Sequence, residues 1–192
     1  MIDTVATTTA ESLLRQPGTA AVAAGMLYLA CLLLAIRLFR RCMPESQQRS
    51  YWLIVIIALM SAGIGEALGL PAQVTQMMRA GTVAQGLYYD RWGMQIEGII
   101  AFFAIYITVA IILKPLIPPD RGSATVFHSL GMLLTFIAIR AVSVHEVDRL
   151  LRMPVAGQIT LNNLIEGSLL FLVFWRLRAA CRIGENEVKF LS

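Results

Sequence analysis

Five stretches of the chain run for about twenty positions almost without charge, at about 20–38, 51–70, 92–116, 124–144 and 160–180. About 20 residues rising 1.5 Å each match the roughly 30 Å hydrocarbon layer of a bilayer. The pattern therefore predicts an all-α fold, an integral membrane bundle of five transmembrane helices forming one domain over 1–192. The third stretch stops at "PLIPPD", whose prolines cannot continue a helix.

The polar ends of these stretches predict an orientation. One side receives Arg37, Arg40, Arg41, Arg49, Lys114, Arg121, Arg176, Arg178, Arg182 and Lys189. The other receives Arg15, Arg79, Arg91, Arg149 and Arg152, mixed with Asp3, Glu11, Asp90, Glu146 and Asp148. Short cytoplasmic connections carry the Lys/Arg excess, which puts the N-terminus outside and the C-terminus in the cytoplasm. The connection 71–91 is too long for a tight turn. Its run "AQVTQMMRA", with Gly81 and Gly86 as breakers, predicts an amphipathic helix on the outer surface. The connection "RMPVAGQITLNN" reads as a loop, after which Asn162 or Asn163 caps the last helix.

Composition agrees with this picture: 57% of the chain is hydrophobic and only 15% is charged, well below a soluble domain. The net charge of +4 does not point to nucleic acid, because only Lys114 and Lys189 among the sixteen basic residues are lysines and no basic run is interleaved with aromatics outside an apolar span. Cys31, Cys42 and Cys181 have no C-x-x-C spacing and predict neither a disulfide framework nor a thiolate metal site. The acidic, Thr-rich N-terminus lacks the positive region of a signal peptide, so the first apolar run is expected to stay as a span. The setting implied is a membrane.

Candidate chemistry lies in the ionisable residues left near the apolar spans: Glu66, Glu97, Arg140 and Glu166. Such residues are costly in lipid and tend to face the bundle and pair. Depth along the helices matches Arg140 to Glu97 or Glu166, and puts Glu66 at the outer rim. His145 and Asp148 are three positions apart, where a carboxylate can fix an imidazole tautomer; the pair suits a general base, a metal ligand or plain interfacial hydrogen bonding. His128 is roughly 25 Å from His145 along one helix, so the two cannot share a metal or haem iron within one protomer. No H-E-x-x-H, G-x-S-x-G or Walker pattern occurs.

The order "GLYYDRWGMQ", "RAVSVHEVDRLL" and "NNLIEGS" resembles a family of small bacterial polytopic membrane proteins of unknown function. That family usually reads G-W-Y-x-x-R-R-x-x-Q, R-x-V-S-F-H-H-[IV]-D-x-L-L and N-W-x-L-E. Here Leu87, Trp92, Val144, Glu146 and Asn163 depart from the pattern. By matching residues the resemblance implies a site of Tyr88, Arg91, Gln95, Arg140, Ser143, His145, Asp148, Asn162 and Glu166, to which Glu97 is added from its depth. It implies a bacterial inner membrane as the setting, supplies no reaction and leaves the cofactor unknown.

Two functions are compatible with these residues. The first is a non-catalytic accessory or assembly subunit that packs against lipids and other membrane subunits, or against its own copies. In it the outer polar pocket holds a small ligand such as quinone or porphyrin. The second is an intramembrane hydrolase or transferase on a lipid-linked substrate, with His145 as base, Asp148 orienting it, and Arg91 or Arg140 holding an anionic group. Proton-coupled transport through Glu97 and Glu166 is a weaker third, since five spans lack repeat symmetry.

Overall fold

The computed structural model describes residues 19–41, 46–84, 91–142, 150–151, 153–156 and 159–191. The chain is almost wholly helical: α1 Thr19–Arg41, α2 Ser46–Ala67, α3 Leu70–Ala84, α4 Arg91–Leu113, α5 Arg121–Val142 and α6 Leu161–Leu191. A 3-10 turn, Lys114–Leu116, follows α4. A small antiparallel hairpin, β1 Pro154–Ala156 with β2 Ile159–Thr160, stands where the sequence suggests a loop.

Four helices, α1, α2, α4 and α5, are long and apolar enough to cross a membrane. The helix α6 is longer still, but it carries Glu166, Arg176 and Arg178 within its apolar length.

The helix ends follow from local chemistry. The Asp120 carboxylate accepts the backbone N–H of Ser123 at 2.6 Å and so caps α5 just after the prolines that stop the preceding segment. Arg40 and Arg41 lie in the last turn of α1, at the negative end of its dipole. Gly69 takes a left-handed φ of 64° between α2 and α3, a conformation open to glycine at little cost. It turns the chain, and its carbonyl accepts from Ala72 and Gln73 as α3 begins. The expected amphipathic helix is present, but it runs through Gly81 to Ala84. Gly81 therefore does not break it, because one interior glycine costs only about 1 kcal/mol. The cap of α6 is also not an asparagine: the Thr160 hydroxyl accepts the Asn163 backbone N–H at 3.4 Å.

The core is built by α1, α2, α5 and α6. Tyr28, Cys31, Ala35 and Leu38 form the buried stripe of α1, and Trp52, Val55, Leu59 and Ala62 that of α2. Val126, Leu130 and Leu133 face them from α5, with Leu170, Val173, Leu177 and Cys181 from α6. Each stripe steps by three or four residues, the spacing of one helix face. The helix α6 lies against both α1 and α5, and α2 against α1. By contrast α4 packs chiefly on α5 and has no buried residue from Ile96 to Leu113. A close approach is at Gly131 of α5, where a Cβ would collide with the Tyr106 ring.

Candidate functional site

At the end of the bundle where α2 and α5 finish and α6 begins, one guanidinium gathers two carboxylates. Arg140 donates through Nη1 to Glu166 Oε2 at 2.8 Å and to Asn162 Oδ1 at 3.4 Å. Its Nη2 donates to Glu66 Oε1. The three charged side chains are 15%, 8% and 21% exposed for Arg140, Glu166 and Glu66, so the cluster is largely removed from solvent. A cluster of this kind is worth holding only if every member is hydrogen-bonded, because each ion pays a large desolvation penalty.

Sequence position explains part of the arrangement. Asn162 and Glu166 are four apart on α6 and share one face, so a single long side chain from α5 reaches both. Glu66 is the penultimate residue of α2, and the turn at Gly69 brings α3 back over this end of the bundle. There the Thr75 hydroxyl lies 2.9 Å from the Ala141 carbonyl and 2.8 Å from the Pro71 carbonyl of its own helix. That bond ties α3 to the last turn of α5, beside Arg140.

A cleft of about 950 Å³ opens from this cluster between α1, α2, α3 and the start of α6. Glu66, Arg140, Asn162 and Glu166 stand at one end, and Leu29, Leu32, Leu59 and Met60 continue the wall into the apolar length of α1 and α2. The volume falls within the ~300–1,000 Å³ typical of small-molecule sites. Tyr28 also lines the cleft; it is only 7% exposed, and its ring lies 3.4 Å from where a Cβ on Gly63 would be. Its hydroxyl is buried near the Glu166 carboxylate and has no hydrogen-bond partner within bonding geometry among the described residues. Buried hydroxyls are nearly always partnered, so an open one facing a cleft marks a place where a further polar atom fits.

The expected residues divide into three groups. Arg140, Asn162 and Glu166 come together. Glu97, the alternative partner for Arg140, is exposed on α4 and takes no part in the network; Glu66 supplies the second carboxylate instead. The reason is that α4 sits at the periphery, whereas α2 is a core helix whose end reaches Arg140. Tyr88, Ser143, His145 and Asp148 lie outside the described residues, as do the side chains of Arg91 and Gln95. Glu66 is visible in the sequence as an ionisable residue of an apolar span, but depth alone sets it at the rim. Tyr28 and Thr75 carry no signal in the sequence, being a common interfacial aromatic and a common helical threonine.

The other histidine, His128, is exposed on α5, with Nδ1 3.1 Å from the Tyr106 hydroxyl. Among the described residues no three His, Cys, Asp or Glu side chains are grouped as a metal site. Compared with protein-family models, curated proteins and solved structures, the chain matches none.

Proposed function

We propose that the chain is a non-catalytic, five-span protein of a bacterial inner membrane, with its N-terminus outside and its C-terminus cytoplasmic. On this reading it serves as an accessory or assembly subunit of a larger membrane complex, and its outer-side cleft holds a small amphiphilic ligand of the size class of a quinone or a porphyrin. The observation that carries the reading is the cleft itself: an ion cluster at one end, an open buried hydroxyl beside it, and an apolar wall leading away. A polar head and an apolar body match those two halves.

The fifth span is supported by the way α6 lies along both α1 and α5, so that it shares their slab, with Arg176, Arg178 and Arg182 toward the basic end. The orientation rests on the excess of arginine at that end. The peripheral helix α4, unburied over its apolar length, supplies a surface suited to a neighbouring subunit.

Purification from native membranes in a mild detergent tests the reading. Co-elution of another membrane protein, together with an extractable ligand or a visible absorption band, is the expected result. A stable monomer that retains neither partner nor ligand overturns it.

A further inference from the structure

Among the described residues that line the cleft, the charged ones are two carboxylates, Glu66 and Glu166, and one guanidinium, Arg140. The guanidinium is already committed: Nη1 serves Glu166 and Asn162, and Nη2 serves Glu66. The head of the cleft therefore has acceptor oxygens to spare and a formal surplus of one negative charge when all three groups are ionised. The helix ends leave that surplus in place. Glu66 stands in the last turn of α2 and Arg140 in the last turn of α5, so two helices turn their negative, carbonyl-rich ends toward the site. Two helices start here, α3 at Leu70 and α6 at Leu161, and their positive ends offset those negative ones. In a site screened from water such a surplus counts for far more than on a surface.

We infer that the cleft is selective for a membrane amphiphile with a cationic ammonium head. This rests on the reading of the cleft as an amphiphile site and assigns the chemistry of its head group. An ammonium presents three N–H donors. Three acceptors stand together at the head of the cleft: the Glu66 carboxylate, the Glu166 carboxylate and the Tyr28 hydroxyl oxygen, which has no hydrogen-bond partner among the described residues. Binding there neutralises the surplus charge and completes the hydrogen bonding of Tyr28. A carboxylate or phosphate head, including the propionates of a porphyrin, adds to the surplus instead. A neutral head ranks between the two, since it can satisfy Tyr28 but does nothing for the charge.

The test uses three amphiphiles of one chain length, dodecylamine, dodecanol and dodecanoate, added to the full chain in neutral maltoside micelles, with bound fractions read by native mass spectrometry at neutral pH. The expected order is amine, alcohol, carboxylate, with the amine about tenfold tighter than the alcohol. Glu66→Gln removes the surplus and should bring the amine down to the level of the alcohol. Gln76→Lys, an exposed substitution on the cleft wall that leaves the cluster intact, also cancels the surplus and should likewise bring the amine down to the level of the alcohol; it keeps the test sharp if the glutamine variant folds poorly. Ala67→Trp, which fills the cleft, should abolish binding of all three. Equal affinity for the three head groups overturns the charge selectivity while the amphiphile cleft stands. Binding that persists unchanged in Ala67→Trp overturns the cleft as the site, and the selectivity with it.

Discussion

The helices α4 and α6 are opposites. From Ile99 onward α4 is uncharged hydrocarbon with one Tyr and one Thr, and among its described residues none is buried up to Leu113. The helix α6 carries Glu166, Arg176, Arg178 and Arg182, and it buries Leu170, Val173, Leu177 and Cys181 against two neighbours. In a soluble protein the more apolar helix would be the more buried. In lipid the acyl chains solvate leucine as well as another leucine does, so apolarity gives a helix no reason to enter the core. Close packing and polar partners do. The core helices have both, as in the Arg140 cluster, the Gly63–Tyr28 contact, and the Cys31 thiol facing the Leu170 carbonyl at 3.8 Å.

The largest effect should come from the polar side of this contrast. Arg140→Leu leaves Glu66 and Glu166 together without a counter-charge, and removing one member of a buried pair costs about 3–5 kcal/mol. Denaturation of the purified protein by increasing SDS fraction should show that loss; a midpoint equal to the parent would mean the cluster holds nothing together. Leu170→Ala, in the fully buried stripe of α6, should cost about 3 kcal/mol on the same scale through a cavity at the centre of the bundle.

Gly131→Ala should cost about 1–3 kcal/mol, because its methyl would collide with the Tyr106 ring. The damage should be confined to the docking of α4. Proteolytic release of α4 with the other helices intact would show this, and Tyr106→Ala should relieve it; no relief would mean that the collision is not what separates the helices. The smallest effect is expected at Ile107, which is 55% exposed on α4: Ile107→Ala should change the stability by no more than about 0.5 kcal/mol. A loss as large as that of Leu170→Ala would show that α4 is packed against another subunit, and the contrast between the two helices would then belong to the isolated chain alone.

Much of the helix plan is readable along the chain. The prolines before Asp120, the Arg40–Arg41 end of α1 and the polar run after Leu70 each mark a boundary close to the one observed. The capping residues are harder, because Asn162, Asn163 and Thr160 are all competent and only the path of the hairpin gives the role to Thr160. Within the site, Arg140 announces that it needs a carboxylate, and Glu166 and Asn162 are expected near it. Depth ranks Glu97 ahead of Glu66 as the partner of Arg140, and the ranking fails because depth says nothing of where a helix sits or which way it is rotated.

What the sequence determined by itself is therefore linear: which segments are long and apolar enough to cross a membrane, where they stop, and which polar residues sit within them and require partners. Tertiary structure alone decided the angular part, namely that Glu66 rather than Glu97 meets Arg140, that Tyr28 turns inward beside Glu166, and that α4 stays outside. The physical reason is that a helix apolar on every face has no side marked for the core. Its rotation and its neighbours are set by small contacts such as Tyr28 over Gly63 and Tyr106 over Gly131, which exist only once the helices have come together.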